Sequence, residues 1–165
     1  MSVLKRIGVL LLVLASLVAC DTKRIDELEE GVATEADVRA RFGEPAAVYA
    51  EESGVRTLEY PRQPEGQRNY MITIGSDGKM SALRQVLKAD GFAKVKPGLD
   101  KAQVRRLLGL PGKTQVFALK QEEVWDWRFQ DGAQNKLFSV VFDTNGIVTS
   151  SAVTLDPRDN NVGGN

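Results

Sequence analysis

Apolar and polar residues alternate along much of this chain, and the alternation predicts strands. Trp125, Trp127 and Phe129 occupy every second position, as do Phe138, Val140 and Phe142, so each trio lies on one strand face. β-Rich runs predict strands over residues 55–60, 70–74 and 79–87, and again over 124–130, 137–142 and 147–155. A further strand is predicted over 47–51 and over 114–119. Asp77-Gly78 and Asn145-Gly146 separate neighbouring runs and signal tight hairpins. Elsewhere the period lengthens. Val38/Phe42 and Val104/Leu107/Leu108 fall at helical spacing and make one apolar stripe each. Thr34 and Asp100 precede them as N-caps, with Asp37 and Gln103 three residues on in the capping-box position. Gly43 and Gly109 supply C-caps, and Pro45 and Pro111 prevent continuation. A shorter helical turn is predicted over 25–30 and over 92–95.

These elements occur twice. Residues 34–45 (TEADVRARFGEP) align without a gap to residues 100–111 (DKAQVRRLLGLP). Ala36/Ala102, Val38/Val104, Arg39/Arg105, Gly43/Gly109 and Pro45/Pro111 are identical, and Leu58 and Tyr60 fall opposite Trp125 and Trp127. The period of 66 to 68 residues predicts a duplicated small domain. The expected fold class is α+β: two tandem copies of a helix–helix–antiparallel sheet unit with three or four strands, helices packed on one sheet face. The expected organisation is an export signal over 1–19, a lipidated tether over 20–24, repeat units over 25–88 and 89–156, and a disordered tail over 157–165.

The two aromatic trios are expected to form the core beneath the helices; the alternative is an exposed aromatic binding patch. With the trios buried, the opposite face presents Asp126, Arg128, Leu137 and Val141 in the second copy, and Thr57 and Glu59 in the first. The loop over 61–68 adds Arg62, Pro64, Glu65 and Arg68. Of these, Asp126, Arg128, Leu137, Val141, Glu59, Arg62 and Arg68 are the candidate partner-binding residues.

The N-terminus reads differently. Lys5 and Arg6 precede an apolar run over 7–18, which ends Leu17-Val18-Ala19-Cys20. A positive region, a short apolar region and a small residue before the cut define a secretory signal. Twelve helical residues rise about 18 Å, short of the ~30 Å hydrocarbon core. Leu17-Val18-Ala19-Cys20 also resembles the bacterial lipobox, which implies recognition at Leu17, Val18 and Ala19, cleavage before Cys20, and diacylglycerol on its thiol. Two or more acyl chains anchor a protein stably. Asp21 then resembles an inner-membrane retention signal.

Composition narrows the chemistry. Removing 19 residues from 165 leaves 146, enough for one good-sized domain or two small ones. Loss of Lys5 and Arg6 leaves 20 basic against 22 acidic side chains, which argues against nucleic acid. The chain has no histidine and one cysteine, so triads, Cys–His nucleophiles, Cys/His zinc sites and intramolecular disulfides are excluded. Neither a metal nor a cofactor is expected. Glu122-Glu123, Asp126 and Glu59 leave carboxylate chemistry as the weakest option.

The pattern Gly98-Leu99-Asp100-Lys101-Ala102-Gln103-Val104, then Gly109-Leu110-Pro111, aromatic strands and a hairpin, resembles the SmpA/OmlA (BamE-like) lipoprotein family. That resemblance implies a non-catalytic, periplasm-facing outer-membrane lipoprotein that contacts the β-barrel assembly machinery. In tandem, the unit is also similar to β-lactamase inhibitor proteins, which hold an enzyme on a concave sheet. The expected function is therefore a protein-binding envelope scaffold; the alternative is a tethered inhibitor or sensor of an envelope enzyme.

Overall fold

A computed structural model of the chain describes residues 28–158. It contains two four-stranded antiparallel sheets, each a simple meander. The first sheet comprises β1 (Ala47–Ala50), β2 (Arg56–Pro61), β3 (Asn69–Ile74) and β4 (Met80–Gln85). The second comprises β5 (Lys113–Phe117), β6 (Glu122–Asp131), β7 (Gln134–Phe142) and β8 (Val148–Leu155). One eight-residue helix precedes each sheet: α1 (Glu35–Phe42) and α3 (Lys101–Leu108). A four-residue helix, α2 (Ala89–Phe92), lies between β4 and α3.

This corrects the expected helix–helix–sheet unit, because sheet dominates and the leading helices do not form as foreseen. The described part of the segment over 25–30 is not helical. There Gly31 N–H donates to the Met80 carbonyl at 2.7 Å and Glu30 Oε1 accepts the Leu83 N–H at 3.0 Å, so the segment is bound to β4. A one-turn helix gains too few bonds to offset its nucleation cost against such contacts. In the second copy the turn ends at Phe92, where 92–95 was expected to begin it.

The two long helices start and stop by the same chemistry. Thr34 accepts from the Asp37 N–H while Asp37 reaches back to Thr34, and Asp100 and Gln103 repeat the exchange. Gly43 and Gly109 then take φ of 81° and 76°, a left-handed turn that side chains disfavour.

Each helix covers one face of its sheet. Val38 and Phe42 pack on Leu58, Tyr60, Tyr70, Ile72 and Met80. Val104 and Leu108, with Phe92 from α2, pack on Trp127, Phe129, Phe138, Val140 and Phe142. The aromatic trios are thus core, apart from the half-buried Trp125. A bond at the helix end ties helix to sheet in both units. Tyr60 Oη donates to the Gly43 carbonyl at 3.0 Å, and Trp127 Nε1 donates to the Gly109 carbonyl at 3.0 Å. A register shift also recurs, at Thr73/Ile74 and at Val141/Phe142.

The units join asymmetrically. The C-terminal end of α3 sits on the outer face of the first sheet, the face opposite α1. Glu59, fully buried there, accepts from Arg105 Nε at 3.1 Å, from Leu110 N–H at 2.8 Å and from Tyr49 Oη at 2.5 Å. Asn69 Nδ2 donates to the Leu108 and Leu110 carbonyls at 2.7 and 3.0 Å. The Gln63 carboxamide bonds both the N–H and the carbonyl of Arg128, as a neighbouring strand would. Gln67 donates to Asn135 Oδ1 at 2.6 Å.

Candidate binding face

Strand alternation sends Asp126 and Arg128 of β6 and Leu137, Ser139 and Val141 of β7 away from the core. The register places Arg128 opposite Leu137, Asp126 opposite Ser139 and Lys113 of β5 opposite Asp126. Ser139 Oγ donates to Asp126 Oδ1 at 2.6 Å and fixes that carboxylate. Arg128 Nε donates to Asp156 Oδ2 at 2.5 Å, which pins the guanidinium against the end of β8. Asp156 also accepts the Arg158 N–H at 3.0 Å. Burial works to raise the Asp156 carboxyl, but the bonds from Arg128 and Arg158 outweigh it and hold the pKa below the usual aspartate value. Asp156 therefore stays ionised and has no proton to give near neutral pH.

These groups line a cleft of about 430 Å³ together with Gly112, Lys113 and Arg158, and with Pro64 from the first unit. Arg128 and Arg158 both pair with Asp156, and Lys113 stands opposite Asp126 in the strand register. Three of the expected binding residues, Asp126, Arg128 and Leu137, thus meet in one place. Val141 shares their face but pairs with Ser150 farther along.

Glu59, Arg62 and Arg68 do not join them. Glu59 has no exposed surface, because the second unit sits on it. Arg62 places its guanidinium 5.3 Å from the Phe42 ring centroid and closes the end of the first core. Arg68 is exposed on a loop whose Gln63 and Gln67 are engaged in the seam. Leu17, Val18, Ala19, Cys20 and Asp21 lie outside the described residues. The sequence pattern does not single out Lys113, just before the strand expected over 114–119, Asp156, the last residue of the second repeat unit, or Arg158, in the expected tail. Nor does it single out Asn69. The only available signal was position: Asn69 directly precedes the apolar run of β3.

Among the described residues no three acidic, cysteine or histidine side chains gather as a metal site, and no helix is long and apolar enough to cross a membrane.

No family model matches this chain, and no curated protein does. Three solved structures are similar over most of its length. The YjgB protein of Bacillus subtilis, from the DUF4309 family, is 18% identical, with 79% of this chain and 83% of that chain covered and a TM-score of 0.32. A Streptococcus mutans protein described as a candidate β-lactamase inhibitor is 12% identical over 75% and 84% of the two chains, also with a TM-score of 0.32. An extracellular SCP-domain protein of Bacillus anthracis is 9% identical over 80% and 47%, with a TM-score of 0.29. The expected kinship to SmpA/OmlA proteins is not supported: the similar structures are of other kinds. The motif that suggested it is a general one. A glycine in the left-handed region followed by proline ends a helix before a strand in any fold that needs the turn.

Proposed function

We propose that the chain is a non-catalytic envelope protein, held at a membrane by lipid on Cys20, that binds a protein partner on the outer face of its second sheet. The observation behind this reading is the cleft built from Asp126, Arg128, Leu137 and Lys113. Its charged groups are oriented in advance by Ser139 and Asp156 on a rigid sheet, which is what recognition requires. A chain without histidine has no Ser–His or Cys–His pair to activate a nucleophile. The role in barrel assembly rested on the SmpA/OmlA resemblance and falls with it. An inhibitor or sensor that holds an envelope enzyme stands in its place, facing the periplasm.

Purified chain, immobilised and screened against β-lactamases and cell-wall enzymes, tests the reading. The expected result is capture of one enzyme, lost in both Asp126→Ala and Leu137→Ala. Capture that survives both substitutions, or no capture across the screen, overturns it.

A further inference from the structure

The two units present the same pair of complementary surfaces, and only one of each is used. The first surface is a seat on the outer sheet face. In the first unit Glu59 stands one residue before Tyr60, and Asn69 one residue before Tyr70, with Tyr60 paired to Tyr70. In the second unit Asp126 stands one residue before Trp127, and Leu137 one residue before Phe138, with Trp127 paired to Phe138. Asp126 is thus the positional equivalent of Glu59. The Glu59 seat is filled and wholly buried, whereas the Asp126 seat is the open cleft.

The second surface is the turn that ends the long helix. In the second unit Arg105, Gly109 and Leu110 fill the first seat, and Gly109 is buried. In the first unit Arg39, Gly43 and Glu44 occupy the same positions, and Gly43 and Glu44 are exposed. Arg39 is the counterpart of Arg105, the residue that meets Glu59. One seat and one helix-end turn are joined within the chain; one of each is left over.

We propose that the leftover pair joins between chains, the α1 end of one copy docking on the Asp126 face of a second copy, with Arg39 meeting Asp126 as Arg105 meets Glu59. This rests on the reading of that face as a protein-binding surface, and gives it a second copy of the chain as occupant in place of an envelope enzyme. Charge supports the pairing. Glu44 of the incoming turn approaches a cleft lined in part by Lys113 and Arg158. Leu137 lacks the amide with which Asn69 holds the Leu108 and Leu110 carbonyls, but Arg128 stands opposite it and carries donors on the same face. Arg39 must leave the exposed Glu44, and it must also leave Glu35, whose Oε1 accepts from its Nε and Nη2 at 2.9 and 2.8 Å, so the docked arrangement has to replace both contacts. The contact is head-to-tail, so each copy keeps one seat and one turn available and assembly extends beyond two chains unless it closes.

Sedimentation equilibrium on the full chain carrying Cys20→Ser, in mild detergent, reads this directly. The expected mass rises with concentration and falls to a single chain in Arg39→Glu and in Asp126→Arg. Mixing those two variants is expected to restore association, because one interface then pairs the native charges and the other the swapped ones. A contact that does not pair Arg39 with Asp126 has no such rescue. If Asp126→Arg fails to fold by circular dichroism, Asp126→Asn replaces it as the loss variant and Arg39→Glu alone must still dissociate. A wild-type chain that stays monomeric, or association that both variants leave intact, overturns the inference. A monomeric chain that captures an envelope enzyme in an Asp126-dependent way overturns it while preserving the binding face. Capture independent of Asp126 overturns both.

Discussion

Glu59 Oε1 accepts the backbone N–H of Leu110 at 2.8 Å, so a carboxylate from the first unit completes the helix end of the second. The same carboxylate takes Arg105 and Tyr49 and has no contact with solvent. Glu59→Ala leaves an N–H, a phenol and a guanidinium without their partner, and is expected to cost about 3 kcal/mol. Urea unfolding followed by Trp fluorescence measures it; a loss below half that value speaks against a structural role for the seam.

The Tyr49 phenol supplies an independent readout. Burial, then the hydrogen bond to Glu59, pushes its pKa up to about 12. The folded state therefore favours the neutral phenol, and its contribution to stability is complete below the unfolded value near 10 and is lost as pH rises toward 12. Glu59→Gln is expected to move the tyrosine absorbance titration toward ordinary pH. An unchanged titration would show that the two side chains are not coupled.

Gly43 and Gly109 share a backbone conformation but not a neighbourhood. A Cβ on Gly43 meets nothing within 4 Å, whereas one on Gly109 comes within 2.9 Å of Asn69 Nδ2. Gly43→Ala is expected to cost about 1 kcal/mol, for the left-handed backbone alone. Gly109→Ala is expected to cost about 1 kcal/mol more, because it also disturbs the seam. Thermal unfolding of both variants side by side checks the order.

Asp156 should confer acid sensitivity. Its folded pKa is depressed, so its stabilisation is present above the unfolded value of about 3.9 and is lost as pH falls through the folded value. Asp156→Asn is expected to lower the urea midpoint at neutral pH, with the gap to wild type closing in acid. A gap that is constant across pH would assign the loss to packing.

Cys20→Ser is expected to abolish palmitate incorporation and to release the protein from membranes in its native host. Asp21→Ser, followed by gradient separation of the two membranes, then tests the sorting residue.

Much of this architecture was legible because it is local. Thr34 and Asp100 mark their helices by one side-chain oxygen each, and the Trp125–Phe129 alternation marks a half-buried strand without reference to the rest of the chain. The outer face of the second sheet followed from the same alternation, which is why Asp126, Arg128 and Leu137 could be placed on it. Glu59 was misplaced for a physical reason. Alternation reports which way a side chain points and says nothing of what arrives on that face from elsewhere. Glu59 and Asp126 look alike in sequence; only the asymmetric docking of α3 buries one and leaves the other open. The short leading turns were legible only roughly: the described part of 25–30 bonds to β4 instead of forming a helix, and the turn expected over 92–95 forms earlier, at Ala89–Phe92.

Ribosomes and export channels deliver a chain from its N-terminus, and that order bears on Asn69. The carbonyl of Leu110 that it holds stands 41 residues downstream, so the first seat emerges before its occupant exists. In that interval the nascent chain shows its surroundings an unoccupied carboxylate and amide, open to any passing arginine-bearing turn. The seam therefore closes only after Leu108 and Leu110 have followed the first sheet.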